Sequence, residues 1–347
     1  MTSATVKSLA HSAGFHLAGV TSALPLAEAR YYAQWLAQGY GAGMTYLHGR
    51  RAEMRADPRT LLPSARSILC LGMLYNTPLP YSTQFDLAGR AWISRYAWGD
   101  DYHDLMRLRM RALADRLLNI QPFDYKICVD TSPVLERALA QRAGLGWIGK
   151  NTCLINQHIG SWVFLGEILT SLDLHPDTPT PDRCGSCTRC IDACPTRAIV
   201  PAQAGPGGPA WALDSRLCIS YWTIELRGPL AEEHRPATGA HVFGCDICQD
   251  VCPWNRRAPT DAEHAFDPRH AAPPLDQLAS LAEDDFRKMF SSSPVTRARY
   301  EGFLRNVAVA IGNSGDPRFA PALQRLSQHP SALVREHARW ALDRVVS

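Results

Sequence analysis

Long apolar segments, lysine and net charge are all scarce in this sequence of 347 residues. No apolar run approaches the roughly 18 residues that a membrane-spanning helix needs, and the best run, SILCLGMLY at 67–75, suits a buried strand. The N-terminal segment contains His11 and His16 where a signal peptide needs an unbroken apolar stretch. We therefore expect a cytoplasmic protein that does not span a membrane and that begins with an amphipathic helix.

The charge is too small for a polycation, but it is unevenly distributed. The formal net charge is +3, from 36 basic and 33 acidic residues, and only four of the basic residues are lysine. Residues 287–347 contain ten Lys or Arg and four Asp or Glu, so this segment carries +6 and the rest of the chain −3. Such a basic segment is either an ordinary solvated face or a contact for a polyanion.

Cysteine is the most informative residue type. Eight of the 11 cysteines lie within residues 184–252, and a dense group in a chain without a signal peptide indicates metal ligation rather than disulfides. The run C-x2-C-x2-C-x3-C-P at 184–195 has the spacing of bacterial ferredoxins, whose fourth cysteine binds the other cluster. The run at 245–253 has three cysteines, and its missing member is Cys218. The scattered cysteines, Cys70, Cys128 and Cys153, are expected to be small buried side chains.

The spacing divides these eight cysteines between two [4Fe–4S] clusters, because each run lends its last cysteine to the opposite cluster. The first cluster takes Cys184, Cys187, Cys190 and Cys252, and the second takes Cys194, Cys218, Cys245 and Cys248. Zinc is the alternative, but four-cysteine zinc sites usually contain two C-x2-C pairs, which do not explain two C-x3-C-P endings. Two neighbouring clusters form an electron path, so the long preceding segment must use the electrons.

We predict an α+β protein of three domains. Residues 1–174 show alternating helical and strand patterns and are predicted to form an α/β domain. Residues 175–265 contain both cysteine runs after a Pro-rich linker and are predicted to form a ferredoxin-like domain with two [4Fe–4S] clusters. Residues 270–347 are predicted to be helical, and their N-x-A-x-A-x-G pattern followed by Asp-Pro is similar to a HEAT-type repeat.

Four segments, taken in order, resemble the epoxyqueuosine reductases: VDTSPVLERALAQRAGLGWIGKN, CGSCTRCIDACP, CISYWTIE and GCDICQDVCPWN. The resemblance covers nearly the whole chain. These cobalamin-dependent enzymes remove the epoxide oxygen from a modified base at the tRNA wobble position, which gives queuosine and water. The resemblance implies a base-off cobalamin in the N-terminal domain, reduced to Co(I) by the nearer cluster. It also implies a monomer served by an external reductant such as a flavodoxin or ferredoxin.

The resemblance also implies site residues. Asp130, at the end of the predicted strand YKICVD, matches the proton donor of the family, and such an acid needs a pKa raised by burial or by a negative neighbour. Without the resemblance, Asp130 would be interpreted as the N-cap of the next helix. The positions that match cobalamin contacts are Arg55, Ser94, Asp130, Asn151, Leu154, Leu165, Ser220, Asp246 and Ile247. For Arg55 the alternative is a surface ion pair, and for the leucines it is ordinary core packing.

The resemblance gives the basic C-terminal segment a partner, the anticodon stem-loop of a tRNA that carries epoxyqueuosine. Its wobble base must leave the stack to react, while arginines bind phosphates, and we expect Arg297, Arg299 and Arg305 among them. Three alternatives are a reductive dehalogenase-like enzyme, a ferredoxin-type electron carrier without catalysis, and a nucleic-acid-binding scaffold. The lack of an Arg-Arg pair before residue 50, the large first domain and the VDTSPVLER segment disfavour these in turn.

Overall fold

A computed structural model describes residues 1–203, 208–260 and 263–346. The strands are β1 (Leu17–Ser22), β2 (Ser67–Leu74), β3 (Trp92–Ile93), β4 (Tyr125–Cys128), β5 (Trp147–Ile148), β6 (Leu154–Ile155), β7 (Val163–Thr170), β8 (Ile199–Pro201), β9 (Trp211–Leu213) and β10 (His241–Phe243). The helices are α1 (Ser3–Ser12), α2 (Ala29–Ala37), α3 (Arg50–Ala56), α4 (Tyr102–Leu118), α5 (Glu136–Arg142), α6 (Arg189–Asp192), α7 (Ile247–Asp250), α8 (Leu275–Ala279), α9 (Glu283–Met289), α10 (Tyr300–Ser314), α11 (Ala320–Leu326) and α12 (Ala332–Val346). Across these ranges, no helix is both long and apolar enough to cross a membrane.

Four strands form the main sheet, in the order β1-β2-β7-β4, and every neighbouring pair is antiparallel. The predicted mixture of helices and strands is confirmed, but the α/β description of the first domain is wrong, because an α/β unit has a mainly parallel sheet. Side chains alternate along β7, so Phe164 and Ile168 enter the core beneath α1 and α4. Leu165 and Leu169 face the opposite core, beneath α5.

Helix α4 and strand β4 together position the loop that holds Asp130. The predicted helix at 101–120 is confirmed at Tyr102–Leu118, with Asp101 as its N-cap. Apolar residues at helical spacing, Met106, Met110, Leu113 and Leu117, are buried against the sheet. The first turn of α4 therefore lies beside the end of β4, from which the chain enters the loop with Asp130.

The C-terminal helices share their core with segments from the rest of the chain. Strand β3 pairs with β10 in parallel, and Trp92, Ile93, Val242 and Phe243 are fully buried together with apolar residues of α8, α10, α11 and α12. Residues 91–98 belong to the predicted first domain, yet they pack in this C-terminal core. The domain boundaries and the HEAT-type relation remain predictions, and the segments pack across them.

Arg305, on helix α10, is an internal structural residue. Only 1% of it is exposed, and its guanidinium donates hydrogen bonds to the backbone oxygens of Trp222, Leu226 and Gly228. It also donates to the side-chain oxygen of Asn306. The expectation that Arg305 binds RNA phosphate is wrong, because no phosphate can reach a guanidinium enclosed by the protein.

We predict that Arg305→Ala destabilises the protein by about 3 kcal/mol, because three buried carbonyl oxygens lose their donor and a cavity forms. The exposed arginine of α12 provides the control: Arg339→Ala should change the stability by less than about 0.5 kcal/mol. Chemical denaturation of the three proteins measures the difference. Equal stabilities for the two variants would contradict the structural role of Arg305.

Candidate active site

Asp130 lies in the loop between β4 and α5, and its backbone adopts a left-handed conformation with φ of +45°. The backbone N–H of Asp130 donates to the Glu136 carboxylate at 2.5 Å, which stabilises this uncommon conformation. Helix α5 begins at Glu136, after Leu135 as its N-cap residue. The N-cap interpretation of Asp130 is therefore wrong, and its side chain is free to take another partner.

That partner is His103, in the first turn of α4. His103 Nε2 lies 3.2 Å from Asp130 Oδ2, and His103 Nδ1 lies 2.6 Å from Asp101 Oδ1. The imidazole stacks on the Tyr102 ring with 4.1 Å between centroids, and Tyr102 in turn stacks on Phe164. The ring of His103 is thus fixed between two carboxylates.

This arrangement sets the protonation states of the pair. Burial alone would lower the pKa of His103, but the hydrogen bonds and charges of Asp101 and Asp130 raise it to about 9. Burial alone would raise the pKa of Asp130, but His103 and the charge of Arg297 lower it below its usual value. The expectation of a raised pKa at Asp130 is wrong for this state, because a cation lies beside it. At neutral pH the pair is an imidazolium and a carboxylate.

Asp130 faces an opening lined by residues from distant segments. Its side chain is 49% exposed, so a substrate can reach it. The hydroxyl of Tyr96 feels the charges of both Asp130 and Asp246, which together with burial raise its pKa. Arg297 extends to the same place, where it pairs with Glu225 and lies over the Tyr46 ring, 5.4 Å from its centroid.

Ser94 and Asp246, two predicted cobalamin contacts, are hydrogen-bonded to each other. Both are buried, at 3% and 1% exposed. Asp246 also accepts from Trp92 Nε1 at 3.2 Å and from the backbone N–H of Arg95 at 2.8 Å. Ile247, the first residue of α7, follows Asp246 directly. The structure therefore places these residues between β3 and the second cysteine run.

Lys150 and Asn151 connect the main sheet region to both cysteine runs. The Lys150 ammonium donates to the backbone oxygens of Gly185 (2.8 Å) and Cys187 (2.9 Å) in the first run. The side chain of Asn151 donates to the backbone oxygen of Cys248 in the second run, at 3.2 Å. Asn151 is buried, as expected for a cofactor contact, and its partner is a loop that holds cluster cysteines.

The remaining predicted contacts occupy different surroundings. Leu154 is buried, and Leu165 is partly buried in the same core cluster on the α5 side of the sheet. Arg55 is 6% exposed, with a hydrogen bond to the backbone oxygen of Arg51, so the surface ion-pair alternative is wrong. The Ser220 hydroxyl interacts with the thiol of Cys218. Ser220 is therefore placed to orient a cluster cysteine.

The clustered thiols fall into two groups that interact electrostatically. Burial raises the pKa values of Cys190 and Cys252 to about 11, and the charge of Cys184 contributes to both, while Cys187 acts on Cys190. In the other group, burial raises the pKa values of Cys218 and Cys245, and Cys194 acts on both. Cys218 and Cys245 act in turn on Cys248. These neighbours are the same sets that the spacing predicts.

A cluster differs from a single-ion site in how far its ligands lie apart. Within the ranges that the structure describes, no three His, Cys, Asp or Glu side chains are close enough to hold one metal ion. A [4Fe–4S] cluster spreads its four thiolates over four irons, so its ligands stand farther apart. Bound iron also keeps the thiolates deprotonated, which offsets the raised pKa values of the metal-free cysteines.

Three features of the site were not predicted from the sequence. His103 contacts Asp130 across 27 positions of sequence, which no local pattern indicates. Burial and the charge of Asp130 raise the pKa of Glu136 to about 7, directly beneath the loop. The thiol of Cys153 hydrogen-bonds with that of Cys248, so Cys153 is more than a small apolar side chain, whereas Cys70 and Cys128 are buried as predicted. The HxD spacing at 101–103 was the one available signal.

Comparison with known proteins agrees with this site. The family model "Epoxyqueuosine reductase QueG, DUF1730" matches residues 55–131, and the model "4Fe-4S double cluster binding domain" matches residues 183–255. The epoxyqueuosine reductase of Xanthomonas campestris is 42% identical over 346 residues, which cover 98% of this chain and 95% of that protein. The chain belongs to the epoxyqueuosine reductase family. It therefore contains a domain for two [4Fe–4S] clusters.

Solved structures of relatives have the same fold. A crystal structure of an epoxyqueuosine reductase with an epoxyqueuosine-modified tRNA-Tyr stem loop superposes with a TM-score of 0.89 at 31% identity, over 99% of this chain and 90% of that chain. The Bacillus subtilis relative superposes with a TM-score of 0.86 at 29% identity, over the same shares of the two chains. In that structure a catalytic loop with an aspartate has swung out of the active site.

Proposed function

We propose that this chain is an epoxyqueuosine reductase, an oxidoreductase that acts on epoxyqueuosine at the wobble position of tRNA. Two electrons and two protons remove the epoxide oxygen, and the products are queuosine and water. The observation that carries the proposal is the position of Asp130, half-exposed beside His103 and close to the Ser94–Asp246 pair. Family membership and the relative bound to a modified stem loop support it.

Cobalamin is the cofactor that we propose, and the residues present fit it. A corrin is a broad, mainly apolar ring edged with amides, so it needs apolar contacts for its face and hydrogen-bonding groups for its edge. Leu154 and Leu165 offer the former, and the buried Ser94, Asn151 and Asp246 offer the latter. Arg55 and Ile247 would complete the contacts. When bound, cobalamin would supply a strongly reducing metal, and the clusters would supply electrons one at a time.

The role of Asp130 is to protonate the oxygen as it leaves carbon, because an alkoxide is a poor product without a proton donor. The neighbouring Tyr96 and Phe164 rings exclude water from the inner side of the loop. The reductant is proposed to be a flavodoxin or ferredoxin-type protein, the enzyme to act as a monomer, and the reaction to take place in the cytoplasm.

The test of this function is turnover by anaerobic, reduced protein loaded with cobalamin, with a tRNA stem-loop that contains epoxyqueuosine. Mass spectrometry should show the loss of one oxygen. Asp130→Asn should lower the rate at least about a hundredfold and leave the cluster and corrin absorbance unchanged. Asp115→Asn, an exposed change on α4, is the matched control and should retain activity. Full activity of Asp130→Asn would remove its role, and an inactive loaded wild type would remove the function.

The division of cysteines between the clusters makes an unusual prediction for paired variants. Cys190→Ala and Cys252→Ala lie far apart in sequence but are assigned to one cluster, so the double variant should lose no more iron than either single variant, about half. Cys190→Ala with Cys194→Ala, four positions apart, should lose nearly all of it.

Iron and sulfide analysis after anaerobic reconstitution measures these losses, and Cys70→Ala, buried in β2, should retain all the iron. If the adjacent pair lost half of the iron and the distant pair lost all of it, each run would hold its own cluster and the assignment would be wrong.

We propose that three arginines at the mouth of the site bind phosphates next to the reacting nucleotide. Arg227, Arg297 and Arg299 are exposed, and the charges of Arg297 and Arg299 act on Arg227. Arg227 also donates to the backbone oxygens of Arg297 and Ala298, at 2.9 and 3.4 Å, which brings the three together. Glu225 neutralises only one of these charges, so the group attracts a polyanion.

Replacement of Arg297 and Arg299 by Gln should weaken tRNA binding and lower the slope of log K against log salt by about two, one for each phosphate contact. Fluorescence anisotropy with a labelled stem-loop, measured over a range of salt concentrations, provides this slope. The control pair Arg339→Gln and Arg344→Gln removes the same charge from α12 and should leave the slope unchanged. An equal decrease for both pairs would indicate a diffuse attraction without a phosphate site.

A further inference from the structure

Asp101, His103 and Asp130 form a continuous hydrogen-bonded chain that ends at the proposed reacting group. The two distances, 2.6 Å from Asp101 Oδ1 to Nδ1 and 3.2 Å from Nε2 to Asp130 Oδ2, lie within hydrogen-bonding reach. His103 is the member farther from solvent, with 19% of its side chain exposed against 32% for Asp101 and 49% for Asp130. The chain therefore runs from the enclosed side of the site to its open side.

The reaction under the proposed function requires two protons for each oxygen removed. A single carboxyl group delivers one proton and then holds a negative charge, so it must be protonated again before the second delivery. The lowered pKa of Asp130 makes this harder, because the resting carboxylate is already without its proton. A second group must therefore supply protons to Asp130 within the site.

We propose that His103 is the proton store for Asp130. As negative charge develops on the substrate oxygen, the Nε2–H bond of the imidazolium breaks and a new O–H bond forms at Oδ2 of Asp130. Asp130 then gives this proton to the oxygen, His103 is left neutral, and solvent returns its proton before the next delivery. Asp101 holds the Nδ1 proton and orients the ring. His103 is a positioning and relay residue, since it acts on the substrate only through Asp130. This inference rests on the proposed function.

The charges around His103 favour a stored proton. Asp101 and Asp130 are in contact with the ring, and Glu136 on α5 interacts with it electrostatically. The positive groups lie one step farther out: Arg107 on α4 acts on Asp101, and Arg297 acts on Asp130. The nearest charges are therefore negative, and the imidazolium persists until about pH 9.

The test is the pH dependence of a single turnover by reduced, cobalamin-loaded protein. In the wild type the rate should stay nearly constant from pH 6 to 8.5 and fall only above about 9, where His103 loses its proton. In His103→Gln, Asp130 must take its proton from solvent, so the rate should fall about tenfold per pH unit over the same range. A deficit of the same factor at every pH would show that His103 only holds Asp130 in place, and would overturn the proposal.

Asp101→Asn provides a gentler variant, because Asn keeps the N-cap of α4 but removes the charge beside Nδ1. Its alkaline limit should move from about 9 towards the ordinary range of histidine, with little loss at pH 6. An unmoved limit would contradict the role of Asp101 in the chain.

A readout that does not depend on turnover separates this inference from the proposed function. In protein labelled at histidine and left without cobalamin, the NMR signal that is missing from His103→Gln should titrate near pH 9, and in Asp130→Asn it should titrate lower. A signal that titrates at the ordinary value would refute the store even if the enzyme is active. An inactive wild type with the expected titration would instead refute the proposed function.

Discussion

The arrangement of the whole site depends on two adjacent side chains, Lys150 and Asn151. Lys150 binds the backbone of the first cysteine run, and Asn151 binds the backbone of the second. Electron transfer weakens steeply with distance, so two clusters are useful only if their loops are held at a fixed place beside the reacting centre. The short turn between β5 and β6 holds both loops next to the same edge of the molecule as Asp130. A hydrogen bond from a charged ammonium to two carbonyls is suited to this task.

Buried arginines provide the second constraint, because they join segments that the sequence separates widely. Arg305 binds three backbone oxygens around the π-helical turn at 221–225, which follows Cys218 and ends at Glu225. Arg95 binds the backbone of Thr77, Leu79 and Pro80 in the same way. The three predicted domains consequently share cores and hydrogen bonds. The active site lies where they meet, so no single segment contains it.

Local patterns predicted the parts of this structure that have a local cause. The period of apolar residues gave α4 almost to its ends, and the cysteine spacing gave the two thiol groups, because both patterns repeat over a few residues. The antiparallel order of the sheet was missed, since strand direction depends on how distant strands pair. The burial of Arg305 and the partnership of His103 with Asp130 were missed for the same reason. The lowered pKa of Asp130 follows from that partnership and was out of reach of any sequence pattern.

The central claim is that both cysteine groups and Asp130 surround one cobalamin. The most direct measurement is a spectroscopic titration of anaerobic protein, with both clusters in place, against cobalamin. The account predicts saturation at one cobalamin per chain, with the absorbance of the base-off form, and weaker binding when the buried Asn151 is replaced by Leu. Protein that contains both clusters and binds no cobalamin at any concentration would contradict it and would leave only an electron carrier.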